Sequence, residues 1–124
     1  MEEGLKTWLT ANVPLAGSRV YPQRLPQNVT LPAIAYFQVS GYRFGSHGGF
    51  SGLARNRYQF NCTGSRYEDA KELAAQLKTV ADGYSGLMGT VTVGSCLYAG
   101  ERDTANPEVG RYTVMVDFMI TYRA

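Results

Sequence analysis

Residues 111–123 read Arg-Tyr-Thr-Val-Met-Val-Asp-Phe-Met-Ile-Thr-Tyr-Arg, and this stretch decides the fold. One set of alternate positions is apolar or aromatic: Tyr112, Val114, Val116, Phe118, Ile120 and Tyr122. The other set is mostly polar: Arg111, Thr113, Met115, Asp117, Met119, Thr121 and Arg123. Alternation with a period of two predicts a β-strand that has one face on a core and one face free.

Residues 54–63 alternate in the same way, which predicts a second strand of the same kind. The core face carries Tyr58, Phe60 and Cys62, and the free face carries Arg55, Arg57, Gln59, Asn61 and Thr63. Residues 33–44 are rich in β-forming residues and residues 90–99 place Val91, Val93 and Leu97 on one face, so both predict strands. Arg19-Val20-Tyr21 has the composition of a short edge strand, and residues 100–110 are predicted to be a polar connection.

Two segments have the apolar spacing of helices. Leu5, Trp8, Leu9 and Val13 share one helical face over residues 2–13, and Pro14 ends that helix. The second helix is predicted over residues 66–82. Its apolar stripe consists of Ala70, Leu73, Ala74, Leu77, Val80 and Ala81. Ser65 and Glu68 have the spacing of a capping box, and Gly83 is placed to end the helix in a left-handed conformation.

The predicted order of elements is therefore α-β-β-α-β-β. We expect an α+β fold with a mainly antiparallel four-stranded sheet and two helices packed on one face. A chain of 124 residues is expected to form one domain, residues 1–124.

The glycine-rich segment at residues 45–52, Gly-Ser-His-Gly-Gly-Phe-Ser-Gly, contains the only histidine of the chain. A phosphate-binding glycine loop connects a strand to a helix, whereas this segment connects two predicted strands. His47 has no neighbouring carboxylate or cysteine with which to form a catalytic group or a metal site. The sequence therefore predicts a protruding hairpin loop that makes contacts through Phe50, with no catalytic, cofactor-binding or metal-binding residues.

Composition and charge narrow the class of function. The net charge is +2, too low for a typical general nucleic-acid-binding domain. Nine of the twelve basic residues are arginine, and nine tyrosines accompany them, a composition that favours protein interfaces. Cys62 and Cys96 have no metal-ligand spacing and are expected to be free thiols. An acidic N-terminus and the lack of any long apolar run predict a soluble cytoplasmic product with no membrane partner.

The free face of the predicted sheet is the best candidate for an interaction surface. Arg55 and Arg57 of the second strand lie there with Asp117 and Met119 of the last strand. Asp117 is placed to form an ion pair with Arg55 or Arg57 across the strands. A surface of arginine and methionine fits protein contact. A sheet that binds single-stranded nucleic acid is the rival, but the aromatic residues of the two best strands lie on the core face.

Several stretches match a known pattern over nearly the full length of the chain. They are Arg19-Val20-Tyr21-Pro22, residues 31–36 (Leu-Pro-Ala-Ile-Ala-Tyr), Gly52-Leu53-Ala54-Arg55 with Tyr58-Gln59-Phe60, residues 67–74, Glu101-Arg102-Asp103, and the closing strand from Gly110 to Arg123. With these stretches, the chain resembles the small tail-completion proteins of long-tailed bacteriophages, also called tail terminators or tail-to-head joining proteins. Asn61-Cys62-Thr63 is more polar than the family pattern at the end of the second strand.

The resemblance implies a virion structural protein with no enzymatic activity. Members of the family that the chain resembles form a ring, usually a homohexamer, at the head-proximal end of the tail tube. The ring ends polymerisation of the major tail tube protein and offers a docking surface to the head connector, adaptor or stopper protein. DNA passes through the lumen without sequence recognition, and assembly takes place in the cytoplasm of the bacterial host.

For this chain we expect the interface to include Gly45, Ser46, His47, Gly48, Gly49, Phe50, Arg55, Arg57, Asp117 and Met119. Two alternatives remain open from the residues. One is another neck or head–tail connector subunit, and the other is a sheet-based nucleic-acid-binding module.

Overall fold

Six strands form one sheet in the part of the chain that the computed structural model describes, residues 2–26, 28–46, 49–106 and 110–123. The elements in chain order are α1 (Glu2–Asn12), β1 (Val20–Pro22), β2 (Ala33–Ser46), β3 (Gly49–Gly64), α2 (Tyr67–Ala81), β4 (Gly86–Met88), β5 (Val91–Asn106) and β6 (Arg111–Arg123). The last strand has the bounds that its alternation predicts. Both predicted helices form, each within one residue of its predicted ends.

The sheet has the strand order β1-β2-β3-β6-β5-β4 and is mixed, because β1 pairs parallel to β2 while the other pairs are antiparallel. The predicted four-stranded antiparallel sheet in the order α-β-β-α-β-β is therefore wrong. The described chain runs α-β-β-β-α-β-β-β. The short edge strand indicated at Arg19-Val20-Tyr21 does form, as β1, but it is missing from the predicted order. β4 has only three residues, too few for a period of two to be recognisable.

β5 is longer than predicted and includes most of the predicted polar connection at residues 100–110. The register shifts between Tyr98 and Gly100, which is a β-bulge opposite Phe118 and Asp117 of β6. Because of this shift, the acidic residues Glu101 and Asp103 turn towards α2. Their polarity resembles that of a loop, but in the structure it serves contacts with the helix.

The glycine-rich segment at residues 45–52 is mostly strand, which corrects the prediction of a loop. Gly45 pairs with Phe50 and Ser46 pairs with Gly49 at the end of the β2–β3 hairpin. His47 and Gly48 lie outside the described residues. Since glycine is disfavoured in strands, its abundance argued for a loop, and cross-strand pairing overrides that local preference.

One helix, α1, contacts both edge strands of the sheet, β1 and β4, so the sheet is curled. Gly4 of α1 allows this approach: a Cβ at that position would collide with the backbone carbonyl of Met88. The predicted apolar face of α1 is buried in full, with Leu5, Trp8, Leu9 and Val13 all in the core. The helix thus closes the space between the two sheet edges.

The second helix packs across β3 and β6, and its residues Leu73 and Leu77 are fully buried. Gly83 has a φ of 81° after the helix, as predicted for its C-terminal end. The predicted capping box is wrong: the helix begins at Tyr67, so Arg66 is the N-cap and Ser65 lies one residue too early. Arg66 instead forms an ion pair with Asp69 at 3.2 Å.

Candidate assembly interface

The sheet has two faces, here called the inner face, which the helices cover, and the outer face, which they do not. Gln59, Thr63 and Asp117 lie on the outer face, yet their exposed fractions are only 6%, 3% and 5%. Polar side chains are seldom this buried unless they have hydrogen-bond partners. The outer face is therefore an ordered surface in which side chains cover one another.

Arg57 and Asp117 form an ion pair at the centre of the outer face. Nε and Nη2 of Arg57 both lie 2.9 Å from Oδ2 of Asp117. The predicted pairing of Asp117 is thus confirmed for Arg57. Arg55 instead donates from Nε to the hydroxyl of Thr121 at 3.2 Å. The other carboxylate oxygen, Asp117 Oδ1, is buried and accepts no hydrogen bond within the described part of the chain.

Further polar contacts extend this arrangement across β5, β6 and β3. Arg102 Nη2 donates to Gln59 Oε1 at 3.2 Å, and Gln59 Nε2 donates to Asn61 Oδ1 at 2.8 Å. The hydroxyls of Thr63 and Thr113 lie 3.0 Å apart. We call these contacts, together with the Arg57–Asp117 pair, the polar ladder. Cross-strand pairs of this kind contribute stability to a sheet face that has no apolar cover.

The predicted interface residues fall into two groups. Arg55, Arg57, Asp117 and Met119 come together on the outer face, since Arg57 pairs with Met119 and Arg55 with Thr121. Gly45, Ser46, Gly49 and Phe50 belong to the hairpin, at the end of the sheet where β6 finishes opposite Leu53. His47 and Gly48 are not among the residues that the structure describes.

The structure adds two features that the sequence did not assign to the interface. Leu97 lies beside Met119 on the outer face and is 52% exposed, which gives the polar ladder an apolar margin. At the end of the sheet away from the hairpin, a pocket of about 220 Å³ opens on the same face. Its polar lining consists of Gln23, Arg24, Asn61, Thr63, Arg111 and Thr113. The sequence predicts Leu97 on one face with Val91 and Val93, but the register shift between Val93 and Ser95, which is invisible in the sequence, turns Leu97 to the outer face.

A separate group of charges joins α2 to β5. Lys78 Nζ lies 2.7 Å from Glu101 Oε1, and Lys71 Nζ lies 3.3 Å from Asp103 Oδ1. The hydrogen bond from Lys78 lowers the pKa of Glu101, and the hydrogen bond from the Tyr67 hydroxyl lowers the pKa of Asp103. These contacts fasten the extended part of β5 to the helix.

The two cysteines are free thiols in the core, as predicted. Burial raises the pKa of Cys96 to about 12 and also raises the pKa of Cys62. Neither thiol is therefore activated as a nucleophile near neutral pH. Within the described ranges, no helix has the length and apolar character needed to cross a membrane.

Comparison with known proteins gives a family and a fold. A family model described as "Tail completion protein gp17" matches residues 5–123. Among solved structures, the chain is similar to one in "Virion of native gene transfer agent (GTA) particle", with a TM-score of 0.68 and 12% sequence identity. That match covers 87% of this chain and 81% of the other. At this identity the likeness is one of fold. Curated protein sequences give no significant match.

Proposed function

The chain belongs to the tail completion protein gp17 family, which makes it a structural protein of a bacteriophage tail, and we propose that it forms a homohexameric ring at the head-proximal end of the tail tube. The ring ends polymerisation of the major tail tube protein. The surface of the ring that faces away from the tail tube receives the head connector, adaptor or stopper protein. DNA passes through its lumen without being read, and the particle is assembled in the cytoplasm of the host.

The observation that carries this proposal, beside the family, is the construction of the outer face. The polar ladder holds Gln59 and Asp117 in fixed positions on a surface that neither helix of the described chain covers. Leu97 and Met119 add apolar area next to them. An ordered surface of charged, polar and apolar groups is what a specific protein contact needs. An enzymatic role is not part of the proposal.

A closed ring of identical subunits requires heterologous contacts, in which one patch of each subunit meets a different patch of its neighbour. We assign one of these patches to Arg55, Arg57, Asp117 and Met119. We assign the β2–β3 hairpin to contact with the tube or with the neighbouring subunit. The assignment covers Gly45, Ser46, Gly49 and Phe50, and it includes His47 and Gly48.

The test of function is negative-stain microscopy of lysates from the parent phage with this gene interrupted. Tails of uncontrolled length beside full heads are expected. Tails of normal length that fail to join heads would replace termination by a joining or connector role. Normal infectious particles would contradict a structural role, and binding to short single strands at low salt would then be measured.

The test of the assigned patch is complementation of that phage with an Arg57→Glu variant. The substitution places a carboxylate beside the buried Asp117 and so destabilises the subunit, and for that reason circular dichroism of the isolated variant must first show that it is folded. From a folded variant we expect loss of particle assembly. Lys6→Glu is the matched control, because Lys6 lies exposed on α1 and its ammonium group has no hydrogen bond or ion pair within the described residues. Normal assembly with Arg57→Glu would remove this patch from the interface.

A further inference from the structure

The pocket on the outer face is lined by groups that donate hydrogen bonds. Arg24 is exposed, and its guanidinium group forms no hydrogen bond or ion pair within the described residues. Arg111 also lines the pocket, where its Nη2 lies 3.5 Å from the backbone oxygen of Pro26. Arg111 makes further contacts, so the exposed guanidinium group of Arg24 is the one that makes this pocket of about 220 Å³ a positive site suited to a carboxylate or a phosphate.

The floor of the pocket is also rich in donors. Asn61 accepts a hydrogen bond through Oδ1, which leaves its amide nitrogen without a partner in the described residues. Thr63 and Thr113 share one hydrogen bond, so one of their two hydroxyl hydrogens stays available. Among the residues that the structure describes, no carboxylate lines the pocket. Such a lining favours an anion over a cation or an apolar group.

A residue with a strained backbone conformation shapes one side of the pocket. Gln23 follows β1 with a φ of 72°, a left-handed conformation that is uncommon for residues other than glycine. Its backbone N–H is held by the carbonyl of Tyr36 at 2.9 Å. This turn places Arg24 and Leu25 at the pocket. Strained residues of this kind concentrate at functional sites.

The same chain carries carboxylates that form no close ion pair. The carboxylates of Glu68 and Glu72 are exposed on α2 and form no hydrogen bond or ion pair within the described residues, although both act on Arg66 and raise its pKa. They are four residues apart, so they share one side of the helix. Asp69, Glu101, Asp103 and Asp117, by contrast, are all paired with cations.

The positions of the two groups suit a ring. The pocket lies on the outer face, and α2 lies on the inner face, so the groups are on opposite sides of the subunit. Both lie at the end of the sheet where β3 finishes at Gly64 and β6 begins at Arg111. Complementary patches on opposite sides and at one height let identical subunits join head to tail without an axial rise.

We propose that the pocket with Arg24 and Arg111 is a carboxylate-binding site that receives Glu68 and Glu72 from the next copy of this chain. The proposal rests on the proposed ring and names a contact that closes it. Charge complementarity would orient each subunit on its neighbour and set the direction of the ring.

The test uses a double variant, Leu25→Cys with Ser65→Cys, which leaves all four charged residues in place. Leu25 lines the pocket, and exposed Ser65 lies three residues before Glu68. Cys62 and Cys96 are buried and do not compete for the oxidant. The variant complements the phage interrupted in this gene, and purified particles are then oxidised with copper phenanthroline.

We expect a ladder of covalent multimers of this chain from the double variant, and monomers from either single variant. Monomers from the double variant in particles of normal appearance would overturn the proposed contact while leaving the ring intact. Dimers from a single variant would also overturn it, because they indicate contact between like patches. If tails do not depend on the gene at all, the proposed function fails first, and microscopy detects that separately.

A charge exchange gives a second readout. Arg24→Glu and Glu68→Arg are each expected to lower particle yield about tenfold, and their combination is expected to restore most of it. Glu3→Arg is the control, since Glu3 is an exposed carboxylate on α1. If Arg24→Glu instead weakens binding of a short oligonucleotide and Glu68→Arg restores nothing, the pocket takes a phosphate of DNA and the contact between copies is wrong.

Discussion

The two faces of β3 and β6 are built from the same strands and differ in what buries them. On the inner face, Phe60 and Phe118 are buried by helices and by each other, with ring centroids 5.8 Å apart. On the outer face, Gln59 and Asp117 are almost as buried, but the groups that bury them are neighbouring polar side chains. The inner face therefore stabilises the fold, whereas the outer face is ordered and still available for contact.

Truncation of two neighbouring residues in β6, one on each face, is expected to give the largest difference in the free energy of unfolding. Phe118→Ala should lower the free energy of unfolding by about 3–5 kcal/mol, because it removes a fully buried ring. Met119→Ala should cost less than about 1 kcal/mol, because Met119 is half-buried on the outer face. Urea denaturation measures both. Equal losses would mean that the outer face belongs to the core.

The next effect concerns the ion pair. Arg57→Ala should destabilise the protein by about 1–2 kcal/mol, because it leaves the buried carboxylate of Asp117 without its cation. Adding Asp117→Asn removes that charge and should recover most of the loss. A double-mutant cycle measures the coupling. Strictly additive losses would show that the two side chains act independently.

A smaller effect is expected where the inner face changes from apolar to polar. Asn56 donates to the hydroxyl of Tyr122 at 2.8 Å, and its amide occupies the space beside Gly41. Gly41→Ala should displace that amide and cost about 1 kcal/mol. Gly94→Ala is the control, since its Cβ would meet only Thr121 O at 3.7 Å. Equal thermal midpoints for the two variants would contradict this assignment.

The smallest effect should come from Glu101, and it should depend on pH. Its pKa is lowered in the folded protein, so its contribution is present above its ordinary pKa and is lost as the pH falls through the folded value. Glu101→Gln should therefore cost about 0.5 kcal/mol at pH 7, and the cost should shrink as the pH is lowered below the ordinary pKa of a glutamate. Urea titrations at pH 7 and below that pKa compare the two costs. A loss that is independent of pH would assign Glu101 a packing role.

The comparison also explains what the sequence could predict. Inner-face burial leaves a regular pattern, and for that reason β6, α2 and Gly83 were predicted close to where they lie. Composition indicates the short edge strand at Arg19-Val20-Tyr21, but the parallel pairing of β1 depends on a partner 14 residues away, as in the pairing of Val20 with Ile34. β4 is too short to carry a pattern of its own. The sheet prediction failed at these edges.

The candidate site was predictable only where it repeats the strand period. Arg57 and Asp117 share a face by alternation, and their pairing follows from it. The pocket depends on the left-handed turn at Gln23 in an irregular stretch, and the exposure of Leu97 depends on bulges in β5. Neither departure from regular geometry has a signal in the local sequence.

The central claim is that the outer face is covered by a neighbouring copy in the assembled tail. Cryo-electron microscopy of the head-proximal end of purified tails measures this directly. We expect a closed ring in which Arg57, Asp117 and Met119 lie at the contact between adjacent subunits. A ring that closes through other surfaces, with the outer face left in solvent or lining the lumen, would contradict the claim.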